Sequence, residues 1–164
     1  MAFGSASKIF RNFLKDCHDQ TSTAPGSGID LDTDTPKCAL YGNTGTPDQN
    51  ATAVLSAYNG AASAWVTANE LTDTNWAAGG RVLVPTVHFA DTAGILWYDS
   101  VDTTGAGNVT VANAYGVLVY DDTITTPQAD IGISYHAFAT QPAGVTAGTF
   151  TVVWDALGVF RYTL

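Results

Sequence analysis

A chain of 164 residues, 46% hydrophobic and 11% aromatic, can bury roughly 70% of its unfolded surface as one domain, which excludes disorder and any need for covalent staples. Charged residues make up only 13%, about half the usual share, and the net charge of −9 sets fifteen acids against six cations. Half of those cations fall in the first twenty residues, so the remainder is strongly acidic and is excluded as a phosphate-binding surface.

Residues 5–18 read as an amphipathic helix. Ile9, Phe10, Phe13, Leu14 and Cys17 recur at three- and four-residue spacing, with Lys8, Arg11, Asn12 and Lys15 on the polar side and Ser5 or Ser7 as cap. Such a helix either packs on its own domain or serves as an arm that docks on a partner chain. A membrane-surface helix is the weaker reading, since only three cations support it. As a docking arm its contact residues are Lys8, Ile9, Phe10, Arg11, Phe13, Leu14 and Lys15. Arg11 and Asn12 interrupt the early apolar cluster, so no signal peptide is expected, and no stretch has the length of a membrane span. The expected organisation is a helical arm over residues 1–20, a Ser/Thr/Ala/Pro/Gly linker over 21–29 and a β body over 30–164.

Asp30, Asp32 and Asp34 have the spacing that opens a calcium loop. Thr35 stands where its sharp-turn glycine belongs, and Tyr41 where its bidentate glutamate belongs, so turn carboxylates are expected. Residues 37–41 form a short strand after Pro36. Thr46 then caps a short helix that has Pro47 in its first position and runs through Ala57, with Val54, Leu55 and Tyr58 on its apolar side. Residues 59–80, rich in Ala, Asn, Thr and Gly, make an irregular excursion anchored by Trp65 and Trp76.

From Gly80 the pattern is strands: 81–90, with Pro85 demanding an edge or a bulge, then 95–98, 108–112, 115–121 and 131–139. The apolar run at 115–121 marks a central strand. The last seventeen residues read as a β-hairpin around Ala156-Leu157-Gly158, with Gly158 in the left-handed region. That register pairs Trp154 with Phe160 and Val152 with Tyr162. It gives one apolar face of Phe150, Val152, Trp154, Phe160, Tyr162 and Leu164. The fold class is therefore mainly β: an antiparallel sandwich or barrel of about eight strands, with the N-terminal amphipathic helix and one short internal helix.

No nucleophile elbow, phosphate loop or zinc pattern is present in the sequence, and no catalytic residue, cofactor or metal site is assigned. His88 and His136 lie in strands, where with Asp99 or Asp121 they could form an acid–base or metal site; structural histidines are the favoured reading, for His18 as well. Asp121-Asp122 after a strand suits a turn as well as a carboxylate pair. Trp65, Trp76, Trp97 and Tyr98 suit a core better than a sugar-stacking platform. Cys17 and Cys38 read as free thiols, with their pairing left open.

Four stretches resemble a family of small virion structural proteins of tailed bacteriophages. They are residues 30–41 with Thr46-Pro47-Asp48, residues 75–83 (Asn-Trp-Ala-Ala-Gly-Gly-Arg-Val-Leu), residues 115–122 (Tyr-Gly-Val-Leu-Val-Tyr-Asp-Asp) and residues 147–161, in that order. The resemblance spans about residues 30–164 and leaves the N-terminal stretch outside. It implies a non-enzymatic structural protein, made in the host cytoplasm and resident in the virion. Members of such a family serve as head or tail components. The acidic body suits a shell exterior, away from packaged DNA, so the expectation is a capsid decoration (cement) protein that binds the outside of the assembled head. Its expected partners are the major capsid protein, or tail proteins, and further copies of itself, for instance in a trimer, with no nucleic acid and no membrane. The alternatives are a tail or neck component and a carbohydrate-binding β-sandwich that touches the host surface.

Overall fold

The computed structural model describes residues 7–11, 29–31, 33–92, 95–126 and 128–163. The run Gly-Val-Leu-Val-Tyr-Asp is apolar on both faces and can be satisfied only where both faces are covered. It forms β8 (Gly116–Asp121), and all six of its residues are buried. Its neighbours are β2 (Pro36–Tyr41), in continuous antiparallel register from Pro36↔Asp121 to Tyr41↔Gly116, and β9 (Gly132–Ala137). Outside these lie β3 (Arg81–Val82) against β2 and β1 (Lys8–Ile9) against β9, completing a five-stranded sheet in the order β1-β9-β8-β2-β3.

Three smaller antiparallel sheets pack around it. β4 (Pro85–Thr92), β5 (Ile95–Ser100) and β12 (Phe160–Thr163) form one in the order β12-β5-β4. β6 (Thr103–Thr104) pairs with β11 (Thr151–Val152), and β7 (Val109–Ala114) with β10 (Ala143–Gly148). The described chain is mainly β, 42% strand against 6% helix, and the sheets do not close into a barrel. One core joins them, built from Leu40, Tyr41, Leu118, Tyr120, Ile133, Trp65, Trp76, Tyr98, Phe150 and Phe160 among others. Pro85 opens an outer strand whose register shifts between Pro85 and Val87, as a proline in a ladder requires. The excursion before it is anchored as expected: Trp65 and Trp76 are both buried.

Three expectations need correction. First, residues 8–10 of the N-terminal stretch, expected within a helix, are extended rather than helical. Lys8 and Ile9 pair with Tyr135 and Ser134, and the Phe10 amide donates to Ile133 O at 3.0 Å. Phe10 is fully buried, edge-on to Trp65 and Tyr135. Adjacent apolar residues such as Ile9 and Phe10 satisfy a short strand as well as a helical stripe, and here the open edge of β9 decides. Phe13, Leu14 and Lys15, with Cys17 and linker residues 21–28, lie outside the described residues.

Second, the internal helix α1 (Ala53–Ser56) starts later than Thr46-Pro47 suggests, because Thr52 caps it through Oγ1 to the Leu55 amide. Its buried face is Ala53 and Ser56, while Val54 and Leu55 are exposed.

Third, the terminal hairpin exists only as its turn. Gly158 has φ +96° and donates to Asp155 O at 2.8 Å; a Cβ there would meet Tyr98 O at 2.5 Å. The two arms then diverge, β11 to β6 and β12 to β5. The expected face still holds where it is described: Phe150, Val152, Trp154 and Phe160 are buried, and Thr151 and Arg161 are exposed. Val159 is the exception, buried although alternation puts it outside.

Candidate functional site: a cleft beside β9

Among the described residues, β1 pairs with β9 at Ser134 and Tyr135. Beyond that point His136 and Ala137, followed by Phe138 and Ala139, form one wall of a cleft of about 970 Å³. The opposite wall comes from the stretch Val152–Asp155 and from Leu157–Thr163, with Lys8 and Gln49 also contributing.

Trp154 organises the wall. Its backbone amide donates to Asp102 Oδ1 at 3.0 Å and its indole Nε1 to Thr103 Oγ1 at 3.1 Å. The His136 ring meets it edge-on, with centroids 5.4 Å apart. His136 Nε2 lies 2.9 Å from Ser134 Oγ. Desolvation disfavours its charged form and pushes the imidazole down to about 4, so it is neutral at pH 7. A serine–histidine contact is the start of a nucleophile–base pair, but Ser134 is fully buried and does not present its hydroxyl to the cleft. The contact instead fixes the imidazole against Trp154. Two of the chain's cations, Lys8 and Arg161, contribute to the lining, with one carboxylate, Asp155, whose Oδ1 accepts from the Leu157 amide in the turn.

Other titratable groups lie away from the cleft. Asp121 sits at the far end of β8 from the Val117↔His136 pair, so the structure does not bring these two together. It is fully buried, accepts from the Thr123 amide at 2.8 Å and faces the Asp34 carboxyl; burial first, and then that neighbour, pushes it up to about 7. Asp122 instead pairs with Lys37 at 2.6 Å. Asp30 and Asp34 are turn carboxylates: Asp34 Oδ2 accepts from the Asp30 amide at 2.6 Å and Asp30 Oδ2 from Thr33 Oγ1 at 3.1 Å. Asp99 accepts from Thr86 Oγ1 and the Ser100 amide. His88 lies in β4. Cys38 is a free, fully buried thiol, raised by desolvation to about 12 and so unreactive.

Of the arm residues, Lys8 and Ile9 line the cleft, Phe10 is in the core, and Arg11 donates from its guanidinium to Asn50 Oδ1 at 2.9 Å. Sequence reasoning missed the cleft itself. Its two walls, residues 136–139 and 152–163, are joined at one end by Lys8 and Gln49 from far along the chain, and the one signal on offer was His136 within a partly alternating strand.

Fold and cleft together define an antiparallel β body with an open lateral groove. Comparison with family models, with curated proteins and with solved structures finds no match to this chain.

Proposed function

We propose that this chain is a structural protein of a tailed-phage virion, a decoration protein that binds the outside of the assembled head; a tail or neck component is the alternative. The observation that carries the reading is a strip of exposed valines on adjoining segments. Val101 donates its amide to Val84 O at 3.0 Å, Val82 lies two residues before Val84, and Val153 precedes Trp154, whose amide is held by Asp102. Val84 is 56% exposed and Val153 72%. Single exposed valines are ordinary, but four of them on adjoining segments of a body with 13% charged residues suit a surface covered by neighbours. The resemblance of residues 30–164 to phage virion proteins supports the same reading. The carbohydrate-binding alternative has less to use, since Trp65, Trp76 and Tyr98 are core residues.

The test is mass spectrometry of separated heads and tails, followed by co-sedimentation of the purified protein with undecorated particles. Val84→Asp and Val153→Asp, each on an exposed position, are expected to keep the fold and abolish co-sedimentation. Undiminished binding of both variants sinks the valine strip as the docking surface, and recovery in tails alone selects the alternative.

A further inference from the structure

Asp121 ends β8 as a carboxyl group with no exposed surface. Its Oδ1 accepts from the Thr123 amide, while its Oδ2 is buried and meets no donor among the described residues. What faces it is the carboxyl of Asp34. An ionised carboxylate only accepts hydrogen bonds, and two of them in contact repel, so the contact holds only with a proton or a cation between them. No third carboxylate, histidine or cysteine completes a metal-binding group with them among the described residues. The charged and titratable neighbours do not take the role. Lys37 of β2 is engaged by Asp122, and Asp130 adds only a further acid beside that pair. The Tyr98 phenol, which feels the Asp121 charge from β5, is raised to about 12 and stays neutral.

Asp34 belongs to a turn closed on itself. The Thr33 and Asp34 amides both donate to Asp30 O, and Asp34 Oδ2 accepts from the Asp30 amide. The turn meets the body at Thr35, whose amide donates to Thr123 Oγ1 at 2.7 Å and whose carbonyl accepts from the Asp122 amide at 3.3 Å. Before the turn, Ile29 packs on Ala53, Ile124 and Ile131.

We propose that Asp34 and Asp121 share one proton, that this proton latches residues 29–31 and 33–35 to the end of β8, and that its loss lets these residues lift off together and uncover Ile124 and Ile131. The sheet need not open with them, because the ladder of β2 on β8 begins at Pro36. The latch is closed in acid and loosens as the solution approaches neutrality, whatever the protein binds.

The test is amide hydrogen exchange on the full chain from pH 4 to 8, corrected for the intrinsic rate at each pH, with a carbon-13 titration of the carboxyl groups. The Asp121 carboxyl should titrate at about 7 instead of 3.8. Protection of the Thr35 amide should then fall about tenfold per pH unit between those values and level off above them. Leu118 and Val119, paired on both sides within the sheet, should stay protected. Asp121→Asn puts a permanent N–H donor into the contact and should make Thr35 protection independent of pH. Asp34→Ala removes the partner and should lower protection at pH 5 toward the level the parent shows at pH 8. The proposal is overturned if Thr35 protection in the parent does not change with pH, if β8 opens together with it, or if Asp121→Asn keeps the parent's pH dependence. Should that variant not fold, the parent's titration decides: an Asp121 step in the ordinary carboxylate range removes the shared proton. Calcium added at pH 8 should change nothing; calcium that restores Thr35 protection there also overturns the latch, because the pair then takes a metal ion in place of the proton.

Discussion

Tyr58 and Tyr120 stack face to face, ring centroids 4.7 Å apart and 9° from parallel, and their hydroxyls are tied to the same excursion from two sides. Tyr58 Oη donates to Glu70 Oε2 at 2.8 Å, and Tyr120 Oη donates to Gly79 O at 2.7 Å. Glu70 Oε2 also accepts from the Gly79 amide at 3.1 Å. A carboxyl group therefore closes the irregular stretch 59–80 onto β8. Glu70 is buried, and desolvation raises its pKa while the Tyr58 and Gly79 bonds oppose that rise. Tyr58→Phe should leave the ring stack but strip the carboxyl of one of its donors. A loss of about 1–3 kcal/mol is expected in a urea melt, since an under-satisfied buried acceptor costs its desolvation. Val54→Ala, on an exposed helix position nearby, is the control and should change stability far less. Equal effects would show that the Glu70 bond contributes nothing.

The two strongly shifted groups at opposite ends of β8 and β9 act on stability in opposite directions. The Asp121 carboxyl is raised from its usual 3.8 to about 7, so between those values the folded chain holds a proton that the unfolded chain has lost. Its contribution is full below pH 3.8 and is lost as pH rises to 7. His136 is lowered from 6.5 to about 4, so between those values the unfolded chain binds the proton better. Its contribution is full above pH 6.5 and is lost as pH falls to 4. Over the shared window the two slopes oppose each other. Asp121→Asn should make stability rise more steeply from pH 4 to 6.5, and His136→Gln should make it fall relative to the parent. Denaturant melts of the three proteins at pH 4, 5, 6 and 7 check this; parallel curves would show that neither group titrates differently in the folded state.

What could be read from the sequence was what depends on one segment at a time. The apolar run of β8 announced a central strand, Pro85 an outer strand, Trp65 and Trp76 their anchors, and Gly158 its left-handed turn. What could not be read was which segments become neighbours. Alternation put Phe150, Val152, Trp154 and Phe160 on a buried face, but it is silent on whether the two arms pair with each other or with β6 and β5. β10, Ala-Gly-Val-Thr-Ala-Gly, has only Val145 and Thr146 as β-formers and carries no element in the sequence reading; it is a strand because β7 offers it an edge. The cleft depended on all of this at once. It lies between β9 and the splayed terminal arms, and their splaying has no local signature.

The splayed arms make a sharp test of Trp154. The ring is buried, bonded through Nε1 to Thr103 and in edge contact with His136, so Trp154→Ala should cost roughly 3–5 kcal/mol. Thr151 is exposed and contributes one side-chain contact, to Thr104 Oγ1 at 3.0 Å, so Thr151→Ala should cost far less. Trp154→Phe keeps most of the packing and loses the Thr103 bond, so it should fall between them. Urea midpoints give the order; a Trp154→Ala loss no larger than that of Thr151→Ala would place the ring outside the core.

The position of Phe10 decides between a free arm and an integral strand. In a helical arm, Phe10→Asp would disturb attachment to a partner and leave the body folded. In the structure the ring is fully buried, 5.5 Å from Tyr135 and 6.3 Å from Trp65, and its backbone amide extends the pairing of β1 with β9. Truncation to Phe10→Ala removes a large aromatic from a packed site and should cost roughly 3–5 kcal/mol, a large part of a typical domain's stability. Phe10→Asp adds an unpaired charge to that loss and should prevent folding. Phe10→Leu fills most of the space and should be tolerated better than either. Near-ultraviolet circular dichroism reports the packing of Trp65, and a thermal melt reports the stability. Native spectra with an unchanged melting temperature for Phe10→Ala would show that β1 detaches without cost. The body would then begin after residue 29, as a separate arm requires.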